Sequence, residues 1–252
     1  MAHLHFEDRG EGVPLLLFHG FPFTSESWWP LLDAPPKGVR IIAPDHRGFG
    51  RSERVDGPTT METFAEDGLA LLDRLKIDRA FIGGLSMGGY VAIAATRLDP
   101  GRVAGLLLCD TMSVADDDAG KARRETVAVD VETNGPRALV DGLMAKLFAP
   151  GADATTKARV EKMMLAQDPR SIAAASRGMA TRRDGKDILS RFAGPCAVVV
   201  GAQDVITPVE RAKVMVDLVA GSTLHVIEGA GHLSPLEKQD AFRDVVASFA
   251  RG

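Results

Sequence analysis

Short apolar runs alternate with longer amphipathic stretches through most of this chain. Short runs that are apolar throughout are typical of strands in a parallel sheet that is buried on both faces. In the longer stretches apolar residues recur at helical spacing, so that one face of each is apolar. The pattern predicts strands at 4–7, 14–18, 40–43, 79–83, 103–109, 196–200 and 223–227, and helices at 60–75, 87–98, 208–219 and 236–250. This alternation predicts an α/β fold, with a mostly parallel central sheet and helices on both faces.

The segment 111–192 interrupts the alternation. It contains no convincing strand pattern, it is charged and helical in character, and several prolines divide it. A stretch of about eighty residues is too long for an ordinary crossover between two strands. We therefore expect an inserted helical cap over the carboxyl edge of the sheet, with residues 1–110 and 193–252 forming the core domain.

Composition narrows the class of protein. The chain has 252 residues, a formal net charge of −4 and 45% hydrophobic residues, which fits one domain with an insertion. Its charges are mixed in sign, so neither nucleic-acid binding nor a polybasic membrane surface is expected. Residues 1–12 are too polar for a secretory signal, and no apolar run is long enough to span a bilayer.

The two cysteines carry information about the compartment. Cys109 and Cys196 both lie in strand-like runs, where a buried free thiol is expected rather than a disulfide or a metal site. Thiols of this kind are typical of a reducing environment, so the expected location is the cytoplasm. The sequence leaves open whether the chain forms a homo-oligomer.

Candidate chemistry begins at the sequence GLSMGG at residues 84–89. A predicted strand precedes it and a predicted helix follows it, which is the setting that a Gly-x-Ser-x-Gly nucleophile turn requires. Side chains at Gly84 and Gly88 would collide with the neighbouring strand and helix, so both positions need glycine. The turn is expected to hold Ser86 in a strained conformation, with its hydroxyl projecting from the top of the sheet.

A serine hydroxyl becomes an effective nucleophile only when an oriented base takes its proton. Among the six histidines, His232 is the best candidate, because it follows the last predicted strand in a glycine-rich loop at the edge where Ser86 emerges. The orienting acid should come from another loop at the same edge. Asp204, which follows the sixth predicted strand, fits this position, and Asp110, which follows the fifth, is the rival candidate.

An acyl-transfer site also needs preorganised N–H donors for the oxyanion. The N–H of Met87, at the start of the helix after the serine, should supply one, and the helix dipole favours it. Phe21, in the loop 19–22 after the second predicted strand, should supply the other, with His19 bracing that loop. In the segment 45–52, two glycines with interleaved charges indicate a tight, hydrogen-bonded turn.

Together these segments resemble the α/β-hydrolase superfamily, over nearly the whole chain except the cap. The matching residues are His19-Gly20-Phe21-Pro22, Asp45-x-Arg47-Gly48-x-Gly50-x-Ser52, Gly84-x-Ser86-x-Gly88-Gly89, Gly201-x-x-Asp204 and Gly231-His232. The order Ser, Asp, His along the chain is the order of that superfamily. The resemblance implies an α/β-hydrolase fold, a Ser86–His232–Asp204 triad, an oxyanion hole from the Phe21 and Met87 amides, and no cofactor.

Within the superfamily the chain is similar to small bacterial esterases, cofactor-free haloperoxidase-like perhydrolases and 3-oxoadipate enol-lactone hydrolases. Serine at position 86 sets it apart from the haloalkane dehalogenase and epoxide hydrolase branches, which use aspartate there. The expected activity is hydrolysis of a small-molecule carboxylic ester through an acyl-enzyme. One alternative is a hydrolase of enol-lactones or of carbon–carbon bonds in aromatic degradation. Another, of a different class, is a small-molecule receptor with slow turnover.

Substrate contacts are expected from apolar side chains near the oxyanion loop and in the cap. Methionines suit an adaptable acyl pocket, although a plain helical core explains most of those in the cap better. The two tryptophans after the oxyanion loop also suit the packing of a helix onto the sheet. Because the sequence forces no arginine toward a carboxylate, small or medium uncharged esters are expected. The residues expected at the substrate are Phe21, Trp29, Met144, Phe148 and Met163.

Overall fold

One seven-stranded sheet organises the chain in the computed structural model, which describes residues 2–55 and 59–251. The strands of this described part are β1 (Phe6–Gly10), β2 (Val13–Phe18), β3 (Val39–Pro44), β4 (Ala80–Leu85), β5 (Val103–Cys109), β6 (Cys196–Gly201) and β7 (Thr223–Ile227). Their order across the sheet is β1-β3-β2-β4-β5-β6-β7. β1 runs antiparallel to β3 and the other neighbouring pairs are parallel, which confirms the mostly parallel α/β fold.

The parallel register brings the carboxyl ends of the strands together. Cys109, at the end of β5, lies opposite Leu85 at the end of β4 and opposite Val199 in β6. Because parallel strands point the same way, the loops that follow them face one another at one edge of the sheet. That edge is where ligands bind in open α/β sheets.

Helices cover the sheet and fill the segment between β5 and β6. Within the described residues they are α1 (Trp29–Asp33), α2 (Met61–Arg74), α3 (Met87–Leu98), α4 (Asp118–Asn134), α5 (Arg137–Leu147), α6 (Ala154–Leu165), α7 (Pro169–Ala180), α8 (Lys186–Leu189), α9 (Val209–Leu218), α10 (Ser234–Glu237) and α11 (Gln239–Phe249). Short 3-10 turns lie at Ser25–Trp28 and Pro100–Arg102. Within these described ranges, no helix has the length and apolar character that a membrane crossing needs.

Buried apolar side chains form two large clusters. Along β2, Leu16 and Phe18 belong to the first cluster, whereas Leu15 and Leu17 belong to the second. Alternate residues of a strand point to opposite faces of a sheet, so the two clusters lie on opposite faces. The helix α3 packs into the first cluster, and Phe242 of α11 packs into the second.

The helical segment, residues 111–192, contains α4 to α8 and no strand, as the sequence predicts. Its side chains enter both clusters: Val131 and Ile172 belong to the first, and Leu147 and Met163 belong to the second. The helical segment therefore shares apolar packing with the sheet on both faces.

Most of the predicted elements lie within two residues of their expected bounds, but the first strand and the last helix differ more. The first strand, expected at 4–7, is observed as β1 at Phe6–Gly10, because these are the residues that pair with the antiparallel neighbour β3. Leu4 is apolar because it is buried, although it lies outside the strand. The last helix, expected at 236–250, is divided into α10 and α11. Lys238 lies between them with φ −132° and ψ 63°, which is not helical.

Candidate active site

Ser86 occupies a sharp turn between β4 and α3, with a backbone φ of 53° and ψ of −113°. A residue with a side chain rarely adopts positive φ, and strain of this kind clusters at functional positions. A Cβ on Gly84 would collide with the carbonyl group of Gly88, and a Cβ on Gly88 would collide with the carbonyl oxygen of Phe18. The predicted strained turn, with glycine required at both positions, is confirmed.

Hydrogen bonds from the β5 side fix this turn. The N–H of Ser86 donates to the carbonyl oxygen of Cys109 at 2.9 Å, and the Thr111 hydroxyl donates to the carbonyl oxygen of Ser86 at 2.7 Å. A Cβ on Gly89 would collide with the Thr111 side chain, so the turn and β5 are in close contact. Cys109 is a buried free thiol, as is Cys196, which confirms the expectation for both cysteines.

The side chains of Ser86, His232 and Asp204 form one continuous chain of hydrogen bonds. The Oγ of Ser86 lies 2.9 Å from Nε2 of His232, and Nδ1 of His232 lies 2.8 Å from Oδ2 of Asp204. His232 and Asp204 are buried, and Ser86 is half-buried. The loops after β4, β7 and β6 thus bring together the three polar residues that the sequence singled out.

The loop after β6 holds the Asp204 carboxylate from its other side. Oδ1 accepts the N–H groups of Ile206 (2.8 Å) and Thr207 (2.9 Å), and Oδ2 accepts the Thr207 hydroxyl (2.6 Å). Burial opposes ionisation of this carboxyl, but bonds from His232 and Thr207 outweigh burial and hold its pKa below the ordinary value. An ionised Asp204 only accepts, so Nδ1 of His232 carries a proton and Nε2 accepts the Ser86 hydroxyl.

Asp110, the rival acid, has a different set of partners. It is fully buried, its Oδ1 accepts the N–H of Gly201 at 2.8 Å, and its Oδ2 accepts the Ser234 hydroxyl at 2.6 Å. These bonds tie β5 to the loop that carries Asp204 and to the helix that follows His232. Burial, and then the charge of Asp204, raises the pKa of the Asp110 carboxyl well above its ordinary value.

This raised pKa predicts a pH-dependent stability difference between the wild type and Asp110→Asn. A carboxyl whose pKa is raised by folding stabilises the fold below its unfolded pKa, and this contribution is lost as the pH rises through the folded pKa. Asparagine stays neutral, tolerates the positive φ of 43° and can bond Gly201 and Ser234. We expect Asp110→Asn to gain stability relative to the wild type as the pH rises from 4 to 8.

Each pKa unit of elevation corresponds to about 1.4 kcal/mol of this difference. Thermal or urea unfolding of both proteins across this pH range measures it, because the pH dependence of all other groups cancels to first order. A constant difference from pH 4 to 8 would show that Asp110 titrates alike in the folded and unfolded chains.

The loop after β2 packs directly on the serine turn. A Cβ on Gly20 would lie 3.2 Å from the carbonyl oxygen of Leu85. The N–H of His46 donates to Nε2 of His19 at 3.0 Å, so Nδ1 of His19 carries the proton and donates to the carbonyl oxygen of Gly20 at 2.8 Å. Burial lowers the pKa of His19 to about 4, which keeps the ring neutral near pH 7. His19 braces this loop, as the sequence predicts.

Two backbone N–H groups flank the serine turn. Phe21 lies in the braced loop, and Met87 is the first residue of α3. Among the residues that the structure describes, the hydrogen bonds outside regular helices and strands include none donated by either N–H group. The first N–H groups of a helix lack intrahelical acceptors and carry part of the positive end of the helix dipole. Both groups can therefore donate to an incoming acceptor.

The turn after β3 is held by its own aspartate. Oδ2 of Asp45 accepts the N–H of Arg51 at 2.9 Å, and the Ser52 hydroxyl donates to the Asp45 carbonyl oxygen at 2.7 Å. Gly48 and Gly50 have φ values of 79° and 55°, which favour glycine. The predicted tight, hydrogen-bonded turn is confirmed.

The five apolar residues expected at the substrate belong to, or pack against, two different apolar clusters. Phe21 packs against the first cluster, which contains α3. Trp29 and Met163 are members of the second cluster, and Met144 and Phe148 pack against it. The last four therefore share one cluster, and Phe21 packs against the other.

These four residues differ in how exposed they are. Trp29 is buried, and the guanidinium of Arg159 stacks on its ring at 4.0 Å from the ring centre. Met163 is buried as well, whereas Met144 and Phe148 are half-buried. The main-chain carbonyl carbon of Phe148 lies 2.7 Å from the position that a Cβ on Gly231 would take. Phe148 is therefore directly beside the loop after β7 that carries His232, which we call the histidine loop.

Sequence reasoning missed two polar residues at this edge, Thr207 and Glu237. The Thr207 hydroxyl bonds the Asp204 carboxylate, and the Glu237 carboxylate bonds the N–H of Gly231. A threonine three residues after an aspartate is an ordinary loop pattern, so its spacing carried no special signal. Glu237 ends the short helix α10, five residues after the histidine, and its partner Ala149 in the helical segment is 88 residues away in sequence.

Comparisons with known proteins agree with this fold. Residues 13–239 match the family described as alpha/beta hydrolase fold. The structure superposes on a malate-bound thermophilic esterase from Thermogutta terrifontis with a TM-score of 0.94 and 36% identity, over 99% of this chain and 93% of that chain. For the enol-lactonase from Burkholderia xenovorans LB400 the TM-score is 0.89 and the identity 27%, over 100% and 97% of the two chains.

A sequence relative extends the same comparison. The 3-oxoadipate enol-lactonase 2 of Acinetobacter baylyi is 30% identical over 209 residues, which cover 82% of this chain and 76% of that protein. The chain belongs to the alpha/beta hydrolase fold family. It is a hydrolase of that family, related at low identity to esterases and enol-lactonases.

Proposed function

We propose that this protein is a serine hydrolase that cleaves small to medium carboxylic esters through an acyl-enzyme intermediate. The observation that carries the proposal is the hydrogen-bonded chain from Ser86 through His232 to Asp204 at a strained turn. A serine within reach of a histidine that a buried carboxylate orients is the arrangement that activates a hydroxyl for attack on a carbonyl. We therefore assign these residues as nucleophile, general base and orienting acid.

In the acylation step, Ser86 Oγ forms a bond to the ester carbonyl carbon while Nε2 of His232 takes the hydroxyl proton. The negative charge goes to the carbonyl oxygen, and the imidazolium is stabilised by ionised Asp204. When the tetrahedral intermediate collapses, the bond to the leaving alkoxide breaks and His232 donates its proton to it. The products of this half-reaction are the alcohol and an ester of Ser86.

In the deacylation step, water attacks the Ser86 ester while His232 again takes a proton. Collapse of the second tetrahedral intermediate breaks the bond to Ser86 Oγ, which recovers its proton from His232. The carboxylic acid is released and the free enzyme is regenerated. The same residue serves as base and then acid in both halves.

The N–H groups of Phe21 and Met87 are our candidates for the oxyanion hole. Neither donates within the described loops and turns, and Met87 opens α3, where the helix dipole favours negative charge. Donors of this kind are fixed before the reaction, so they stabilise the developing oxyanion without reorganising. One such donor is worth about 10²- to 10³-fold in rate in other serine hydrolases.

An uncharged acyl group of modest size fits the surroundings. The half-buried Phe148 and Met144 lie on the side of the second cluster, and the main chain at Phe148 adjoins the histidine loop. Both are apolar and offer no charge to bind a carboxylate. Similarity to the Thermogutta terrifontis esterase over nearly the full length supports an ester substrate.

The test is steady-state hydrolysis of p-nitrophenyl esters from acetate to laurate. We expect kcat/KM to be highest for a short or medium chain and to fall by at least about tenfold at laurate, since each methylene that the pocket cannot hold costs binding energy. The position of the maximum measures the depth of the acyl pocket. Absence of turnover on every chain length, with the protein folded, would contradict the proposal.

Enol-lactone hydrolysis is the second candidate, favoured by the similarity to enol-lactonases from Burkholderia xenovorans and Acinetobacter baylyi. An enol-lactone is a cyclic ester, so the same attack by Ser86 breaks the acyl–oxygen bond and opens the ring. The leaving enolate stays on the same molecule, takes the proton from His232 and tautomerises to a ketone. Assaying an enol-lactone beside the p-nitrophenyl series separates the two. A kcat/KM that is higher for the lactone than for every open-chain ester by about tenfold or more would favour this candidate.

A further inference from the structure

Glu237, the last residue of α10, holds two main-chain segments together through one carboxylate. Its Oε1 accepts the N–H of Gly231 at 2.8 Å, and its Oε2 accepts the N–H of Ala149 at 2.8 Å. Gly231 immediately precedes His232 in the loop after β7. Ala149 lies just beyond the end of α5 in the helical segment. The carboxylate is thus a bridge between the helical segment and the histidine loop.

The histidine loop lies between two other pieces of main chain at very close range. On one side, the N–H of His232 itself donates to the carbonyl oxygen of Leu147 at 2.8 Å, and a Cβ on Gly231 would lie 2.6 Å from the Ala149 nitrogen. On the other side, a Cβ on Gly201, at the end of β6, would collide with the carbonyl oxygen of Gly231. The loop is therefore packed between β6 on one side and the helical segment on the other.

We propose that Glu237 is a positioning residue for His232. By bonding both the loop of His232 and residues 147–149, Glu237 makes the position of the imidazole depend on the position of those residues. The proposal rests on the proposed function, in which His232 is the general base. In the folded chain, the two bonds to Glu237 and the bond from His232 to Leu147 fix the loop in the position at which Nε2 meets Ser86 Oγ.

The bridge needs two acceptor atoms on one planar group. A carboxylate supplies both, whereas the carboxamide of glutamine has one oxygen and one NH₂ group. In Glu237→Gln the NH₂ group must face one of the two N–H donors, so one bond is lost and a buried donor is left unsatisfied. A displacement of about 1 Å in a catalytic group can cost about 10²-fold in rate. The expected effect is thus on the chemical step rather than on substrate binding.

The kinetic test compares Glu237→Gln with the wild type and with Glu210→Gln. Glu210 is an exposed residue in the first turn of α9, so it controls for the loss of one negative charge. On a p-nitrophenyl ester we expect kcat of Glu237→Gln to fall by about 10- to 100-fold, with KM changed less than about threefold. The control should match the wild type in both constants.

A second readout does not depend on turnover. The proton between Nδ1 of His232 and Oδ2 of Asp204 should give a low-field NMR signal, which His232→Gln assigns by its absence. We expect this signal to shift or broaden in Glu237→Gln and to stay unchanged in Glu210→Gln. If Glu237→Gln does not fold, Glu237→Asp takes its place, because a side chain one methylene shorter cannot span both donors.

The outcomes separate the two hypotheses. A lowered kcat together with an altered low-field signal supports the positioning role. If the low-field signal and kcat are both unchanged in Glu237→Gln, the positioning role is wrong. This holds even if the variant is less stable to heat or has a higher KM. Inactivity of the wild type on esters counts against the proposed function, while the NMR comparison still decides whether Glu237 orients His232.

Discussion

Replacing Ser86 by alanine should lower kcat for ester hydrolysis by about 10⁶-fold. Removing the nucleophile of a serine triad has this effect because the remaining groups cannot form the acyl-enzyme. Alanine keeps the Cβ, and the backbone φ of 53° is equally strained for both residues, so the fold should be unchanged. Initial rates on the best p-nitrophenyl ester, with thermal unfolding of the same samples, measure both expectations.

A second serine-to-alanine substitution serves as the control for Ser86→Ala. Ser248→Ala alters an exposed serine in α11, where alanine suits the helix, and should leave kcat within about twofold of the wild type. Mass spectrometry after reaction with a fluorophosphonate should find one adduct on the wild type and none on Ser86→Ala. Hydrolysis that persists in Ser86→Ala at more than about a hundredth of the wild-type rate would mean that another group is the nucleophile.

Replacing Asp204 by asparagine should lower kcat by about 10⁴-fold with little change in KM. Asparagine preserves the shape of the side chain, but its amide can donate to His232 and so favours the wrong tautomer of the imidazole. In the wild type the carboxylate accepts from Nδ1 of His232 at 2.8 Å, which leaves Nε2 free to act as the base. The loss therefore falls on proton transfer rather than on binding.

The paired variant Asp110→Asn decides between the two candidate acids. Asp110 bonds Gly201 and Ser234, and the amide of asparagine can replace both bonds. The Asp110→Asn substitution should therefore lower kcat by less than about tenfold. Steady-state rates for the two variants at one pH, on one ester, suffice. If Asp110→Asn loses as much activity as Asp204→Asn, or more, then the roles assigned to the two aspartates are wrong.

The sequence predicted the placement of the catalytic candidates because that placement follows from topology. Apolar runs bounded by turn residues located the strands, and parallel strands leave their following loops at one edge. The glycines at 84 and 88 were informative because each allows a close approach of main chain that no other residue permits. These signals are local, and a single sequence displays them directly.

The choice between Asp204 and Asp110 shows where such reasoning ends. Both aspartates follow strands at the same edge, and only the motif argument favoured Asp204. The difference lies in partners that are distant in sequence: His232 for one, and Gly201 with Ser234 for the other. The packing of Trp29 against Arg159 could not be predicted for the same reason, because these two residues are far apart in the sequence.

The apolar side chains of the helical segment also bear on how the chain unfolds. Leu147 and Met163 belong to the cluster on one face of the sheet, and Ile172 belongs to the cluster on the other. Swinging the segment away as a rigid lid would expose these side chains at about 1.5–3 kcal/mol each. We therefore expect residues 111–192 to unfold together with the rest of the chain, which a single transition in thermal unfolding would show.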